Sequence, residues 1–305
     1  MSSKVTDNNT LFLYSNKSLP FHSNWFDQEP VLMAEGVLAF ILNSTFLFVL
    51  ARNKDLVKCK RITYHVANLA LADTLVGLSL FMSATIRRDI VHVGIDCLGW
   101  FQLINLGAIF VSFMAVLFIA IERIVVIKWP YTWKEILTLK RVFVVIFITW
   151  ITAVILVIIP LPIGAKLSKT TLFLLIFLFC GIAIFIANSV IACLLQHKKT
   201  QQTSNRSKKK AIKLVIMINI ILAVTCVPYA VVYLILYICS LPSWNCNSNI
   251  VYLLYFDVGT FLYVLAYINF FINPIIYIWR DATYRKAFCN MFKKSTRLNG
   301  RTTPV

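Results

Sequence analysis

Apolar residues along this chain fall into seven long runs separated by short, mostly basic polar stretches. The runs lie near 31–51, 64–86, 98–127, 142–163, 171–195, 212–240 and 250–279. A bilayer core of about 30 Å takes roughly 20 helical residues at about 1.5 Å of rise each, so every run is long enough to cross one. The pattern predicts an all-α membrane protein, a bundle of seven transmembrane helices. An odd number of crossings puts the termini on opposite sides. The chain then divides into a tail at 1–30, a membrane domain at 31–279 and a terminal segment at 280–305, with no internal repeat and no separate soluble domain.

Composition agrees with this reading. Of the 305 residues, 59% are hydrophobic and 14% charged, where a soluble domain carries roughly half and about a quarter. A formal charge of +18 would suggest nucleic acid as partner in a soluble protein, but here the basic residues are confined between apolar runs and no such partner is expected. Their placement gives direction instead. Six of the 30 Lys and Arg (Lys4, Lys17, Arg87, Arg88, Lys166 and Lys169) fall on one side of the alternating pattern, and the rest, within 52–61, 123–141, 198–213 and 280–301, on the other. The positive-inside rule makes the crowded side cytoplasmic, so the N-terminus is expected outside the cell, the C-terminus inside, and the protein in the plasma membrane. Glycosylation sequons at Asn8 and Asn16 fall on the external tail. The first 30 residues hold no apolar signal core, so the first run is expected to act as the targeting element.

An ionisable group inside a membrane span is costly and commonly functional. Asp73 sits near the middle of the second run with no basic residue within a helical turn. Ser112, Asn269 and Asn273 lie at similar depth. Together the four can form a small oxygen-rich cage for a hard monovalent cation; alternatively Asp73 is protonated and hydrogen-bonded to its neighbours. Glu122-Arg123-Ile124 ends the third run on the cytoplasmic side, where an acid beside an arginine can pair locally in one state and release the arginine in another. Asn273-Pro274-Ile275-Ile276-Tyr277 places a helix-weakening proline beside the polar cluster, and Pro228 is a second such hinge in the sixth run. The four histidines are scattered, with no metal-binding or nucleophile-base spacing, and phosphate-binding loops are absent, so the chain is not read as an enzyme.

Taken in order, these residues resemble the rhodopsin-like (class A) G-protein-coupled receptors. The marks are Asn43, Leu69-Ala-Leu-Ala-Asp73 (Asn68 preceding), Glu122-Arg123-Ile124, Trp150, Pro228 and Asn273-Pro274-Ile-Ile-Tyr277, and the likeness extends from about Asn43 to Phe288. After the seventh run, Trp279 to Phe288 looks like the family's short amphipathic eighth helix, with Cys289 as a candidate for palmitoylation or an unmodified cysteine. The resemblance implies an extracellular ligand bound among the helices, outward movement of the sixth helix, and contact of Arg123 with a heterotrimeric G protein. It also implies that Tyr277 swings inward to support the open form and that sodium at Asp73 favours the closed form as an allosteric ion. Arrestin is a further expected partner.

Departures from the family pattern narrow the subgroup. The disulfide that commonly ties the third helix to the second external loop cannot form in its usual place, because Cys97 has no cysteine near 164–170 to meet. Cys239 and Cys246 flank the last external loop and can pair with each other. The fifth run lacks proline and tyrosine, Cys226 stands where a tryptophan is usual, and lysines at 208–210 replace an acid that would restrain Arg123. Lost restraints predict raised basal signalling. These features resemble the subgroup of melanocortin, cannabinoid, lysophospholipid and adenosine receptors.

The ligand is only partly constrained. Asn105 occupies the place of the aspartate that amine receptors use, and Tyr267 stands near the place of the opsin lysine, so neither a cationic amine at that position nor retinal is expected. Tyr229 and Tyr233, and Tyr263 and Tyr267, are each four apart and share a helix face. With Phe101, Asn105 and Ile109 they would line an apolar pocket with hydroxyl handles, or else simply pack. Lipid-like, nucleoside-like and peptide ligands all remain open. A non-coupling or scavenger relative of the same fold is the main alternative, and a seven-span transporter a lesser one, since no inverted repeat is present.

Overall fold

The computed structural model describes residues 28–53, 62–88, 95–158, 169–197, 224–239, 258–280 and 282–299, with 221, 246, 247, 251 and 254 besides. Among the described residues the secondary structure is helical and contains no strand. The apolar helices are α1 (Gln28–Arg52), α2 (Ile62–Arg88), α3 (Ile95–Lys128), α4 (Leu139–Ile158), α5 (Lys169–His197), α6 (Val227–Cys239) and α7 (Gly259–Arg280), followed by α8 (Ala282–Asn299). Each of the seven falls within or around one apolar run. α1, α2, α3, α4 and α7 are long and apolar enough to cross a membrane, and the described apolar parts of α5 and α6, Leu178–Leu194 and Val227–Leu236, are shorter. Where lipid replaces water, a chain must satisfy its own backbone, which a helix does and an open strand cannot. At about 1.5 Å per residue, the 34 residues of α3 are longer than a bilayer core is thick.

The helices close into a ring. α1 packs on α2 and α7, α2 on α3, α3 on α5, α5 on α6 and α6 on α7, while α4 lies outside against α2 and α3. The outer face of α4 presents Phe143, Phe147, Ile148, Ile151 and Val154, an apolar surface suited to acyl chains. The interior is where the polar residues are: Asn43, Asn68, Asp73, Ser79, Asn105, Ser112 and Asn188 are all buried. This inversion of the soluble pattern marks a multi-pass membrane protein. The main core joins Leu32 and Ala39 of α1, Val76, Leu80 and Ala84 of α2, Ala108 and Phe113 of α3, Ile184 of α5, Cys226, and Tyr267 and Phe270 of α7.

Two local features fix the geometry around α1. Gly36 and Gly77 let α1 and α2 touch backbone to backbone: a Cβ on Gly77 would lie 2.6 Å from the Phe40 nitrogen and 2.7 Å from the Gly36 carbonyl oxygen. Pro274 lies inside α7, so the Phe270 carbonyl, four residues earlier, has no helical N–H to accept. Asn43 Nδ2 donates to that carbonyl at 2.8 Å, and to Ala39 O at 2.8 Å. Across the bundle, Trp150 Nε1 donates to Asn68 Oδ1 at 2.8 Å and docks α4 on α2.

Gly77→Val should separate α1 from α2, since backbone atoms cannot yield as a side-chain end can. The expected cost is about 1–3 kcal/mol, read as a lower thermal midpoint of detergent-purified protein; an unchanged midpoint would show the contact to be dispensable.

Candidate functional site

Asp73 is fully buried. Its Oδ1 accepts from Ser112 Oγ of α3 at 2.6 Å and its Oδ2 from Asn273 Nδ2 of α7 at 2.9 Å. The carboxyl therefore ties α2, α3 and α7 at one level. A cavity of about 40 Å³, bordered by Ser112, Asn269, Asn273, Phe113, Phe270 and Ile221, opens beside its two partners, room for about one water. Asp73, Ser112 and Asn273 fit a small hard cation, because each carboxylate oxygen and the serine hydroxyl keep a lone pair after the bonds described. Asn269, expected in the same cage, is directed elsewhere. Its amide donates to Thr225 Oγ1, to Cys226 Sγ at 2.9 Å and to Ala266 O at 3.1 Å. It borders the cavity but links α7 to the segment just before Pro228.

Two turns before Ser112 in α3, Asn105 Nδ2 donates to the Tyr267 hydroxyl at 2.7 Å, and the Tyr267 and Tyr263 hydroxyls lie 3.1 Å apart. The rings continue the chain: Tyr263 to Tyr229 is 5.7 Å between centroids and Tyr229 to Tyr233 is 4.7 Å. The four tyrosines expected to line a pocket are thus one stack joining α6 and α7, with α3 attached through Asn105. Ile109 packs against the main core, and Phe101 is half-buried one turn before Asn105. A disulfide joins Cys239 and Cys246, with Cα atoms 5.5 Å apart. Cys180, Cys193, Cys226 and Cys289 are free, Cys193 and Cys289 exposed.

At the C-terminal end of α3, adjacent residues point about 100° apart. Glu122 is buried and Arg123 exposed. Tyr277 lies between Phe46 of α1 and Tyr284 of α8, with centroids at 6.2 Å from each. Tyr284 also meets Thr63 Oγ1 at 3.3 Å, and Phe46 at 5.6 Å between centroids. α8 turns Tyr284 and Ala287 inward and leaves Arg285, Lys286 and Cys289 exposed, and Arg285 donates to the Trp279 carbonyl at 3.1 Å. Asn8, Asn16, the basic stretches 54–61 and 198–213 and the Cys97 side chain lie outside the described residues.

Two polar groups were not anticipated. Glu35 is an acid within the first apolar run and is buried in α1; the signal was the same one that marked Asp73. Thr225 becomes notable only through its register beside Cys226, which no spacing in the chain announces.

Residues 42–172 match the family described as the 7 transmembrane receptor (rhodopsin family). Residues 162–295 match the serpentine type 7TM GPCR chemoreceptor Srw family. Over 300 residues the chain is 25% identical to cannabinoid receptor 1 of Xenopus laevis, an alignment covering 84% of this chain and 61% of that protein.

Removing a partner of Asp73 should cost more than removing the α6 link. Asn273→Ala leaves a buried carboxylate oxygen short of a donor, about 1–3 kcal/mol, whereas Asn269→Ala forgoes an interhelical contact of about 0.6 kcal/mol. Thermal midpoints of the two purified variants check the order, and a larger loss for Asn269→Ala would reverse it.

Proposed function

Because the chain belongs to the rhodopsin-like (class A) G-protein-coupled receptors, we propose that it takes up an extracellular ligand among α3, α6 and α7 and activates a heterotrimeric G protein. The observation that carries this reading is the exposed Arg123 beside the buried Glu122 at the inner end of α3. A guanidinium presented there, in a chain whose basic stretches fall on the same side by the positive-inside rule, suits a transducer or arrestin on the cytoplasmic side of the plasma membrane. The chain spans about 61% of the length of the curated relative it matches, and that relative's name identifies no ligand for this chain.

The proposed mechanism follows the bonds already described. A ligand entering from outside meets the Asn105, Tyr267, Tyr263, Tyr229 and Tyr233 chain, which joins three helices. A ligand that breaks or re-forms these bonds binds two bundle arrangements unequally, and that difference alone shifts their populations. Outward motion of α6 then parts Thr225 and Cys226 from Asn269, just before the Pro228 hinge. Tyr277 leaves its place between Phe46 and Tyr284 to support the open form, and Arg123 engages the G protein. Asp73, Ser112 and Asn273 would hold a sodium ion, which when bound supplies positive charge at the carboxylate and favours the closed convergence of α2, α3 and α7.

Agonist-free recruitment across several Gα classes, at matched surface expression, should give a signal above background with the native chain that falls to background with Arg123→Ala. Silence with every class would favour a non-coupling relative and sink the reading of raised basal activity. Sodium should raise the thermal midpoint relative to choline at equal ionic strength, and at tenfold its Kd it adds about 1.4 kcal/mol. Asp73→Asn should abolish that difference; its persistence would remove Asp73 from the site.

A further inference from the structure

The connection from α3 to α4, residues 128–141, carries the cations Lys128, Lys134, Lys140 and Arg141 and a single acid, Glu135. It is tied into one unit by its own backbone. Trp129 N donates to Val125 O at 2.9 Å, Trp133 N to Trp129 O at 3.0 Å and Leu137 N to Trp133 O at 2.8 Å, so the end of α3 leads directly into the short turn Trp133–Ile136. Arg141 Nη1 reaches back from α4 to the carbonyls of Ile136, at 2.8 Å, and Glu135, at 3.3 Å. The start of α4 is thereby held against that turn.

Two aromatic rings in this unit are matched with ammonium groups. Lys128 Nζ lies 4.6 Å from the centroid of the Trp129 ring, and Lys134 Nζ 5.9 Å from that of Trp133. Lys128, Trp129, Lys134, Lys140 and Arg141 are all exposed. Tyr131, between the two tryptophans in sequence, is 94% exposed. Rings left this open call for a partner that covers an apolar body and keeps a polar edge wet.

Continuity with α4 names the partner. Leu139, Phe143 and Phe147 are four apart, share one helix face and are exposed. This acyl-chain surface starts where the cations of the connection end. Exposed Trp and Tyr with lysines beside an apolar helix face form the pattern of a membrane interface, with rings at headgroup depth and ammonium groups reaching toward phosphate.

We propose that residues 128–141 bind the headgroups of anionic phospholipids, with Trp129 and Tyr131 at headgroup depth and Lys128, Lys134, Lys140 and the free donors of Arg141 on phosphate oxygens. The positive-inside rule puts this surface at the cytoplasmic leaflet, where such lipids are abundant. The choice of leaflet rests on the receptor reading above; the binding does not.

Quenching of tryptophan fluorescence in the full chain, reconstituted in phosphatidylcholine bilayers, tests it. The probes are phosphatidylserine and phosphatidylcholine brominated on the acyl chain near the ester, and the difference between the native chain and Trp129→Phe isolates the signal of Trp129. Brominated phosphatidylserine should quench Trp129 with at least about fivefold higher relative affinity than brominated phosphatidylcholine, the effect of one lysine near an anionic surface. Lys128→Gln, Lys134→Gln and Lys140→Gln combined should bring the two lipids to parity. Arg285→Gln with Lys286→Gln in α8 should leave the preference unchanged. Should the triple variant not reconstitute, Lys128→Gln and Lys140→Gln singly carry the comparison, each lowering the preference. Equal quenching by the two lipids in the native chain would overturn the proposal, as would a preference that survives the triple variant or is lost with the α8 variant. Trp129 out of reach of bromine in both lipids would also overturn it, and would leave the segment as a docking surface for a protein. With phosphatidylserine in both leaflets and no G protein present, the outcome is independent of orientation and coupling, so failure of the receptor reading is separately visible in recruitment.

Discussion

A proline inside α7 creates a vacancy that much of the bundle is arranged around. Pro274 deprives the Phe270 carbonyl of its helical donor, and a bare carbonyl in a membrane interior costs several kcal/mol. Asn43 of α1 supplies the missing N–H. One amide thereby fixes the height and rotation of α7 against α1, and the rest follows from that register. Asn273, one residue before the proline, is brought to Asp73 of α2, and Tyr277, three residues after it, to Phe46 of α1 and Tyr284 of α8. A hinge that weakens one helix is thus converted into a joint that positions three others.

The polar interior is worth more as geometry than as stabilisation. Interhelical hydrogen bonds in membranes average about 0.6 kcal/mol, because a separated helix also finds partners. Burial of aromatic and aliphatic side chains, and the close approach at Gly36 and Gly77, hold α1 on α2 far more firmly. What the bonds at Asp73, Asn105 and Asn269 add is direction. Each links α7 to a different neighbour, so any rotation of α7 must exchange several of them at once, and such an element has discrete positions rather than a continuum.

Much of this was legible in the chain itself. Among the described residues an apolar helix falls on each of the seven runs, because membrane spans carry the strongest and simplest pattern in sequence. Asp73, Ser112 and Asn273 met as expected, since a lone acid in an apolar run must find polar company. The Cys239 and Cys246 pair was readable from their places at two ends of one short segment. Asn269 lines the same cavity, yet its amide nitrogen turns to Thr225 and Cys226, because rotation about the helix axis, which depth alone does not reveal, decides whether an amide faces α2 or α6. For the same reason the tyrosines could be paired by spacing within a helix, while their joining into a single stack across α6 and α7 depended on tertiary approach. Glu35 carried a clear signal that went unused: it is as isolated in its run as Asp73 is in its own.

Under the proposed receptor mechanism, the α6 to α7 link sets how little energy a switch would have to move. A two-state bundle whose minor form is populated at 0.1–10% is separated by a few kcal/mol. Asn269 contacts Thr225 and Cys226, and the resemblance puts a tryptophan at the Cys226 position; the thiol and hydroxyl bury far less surface than an indole. If each such contact carries about 0.6 kcal/mol, its loss changes the balance of the two forms only about threefold. On the proposed mechanism the closed form would rest less on a bulky block at α6 and more on the polar joints around α7, and a ligand would need to favour the open form by only a few such contacts to tip it.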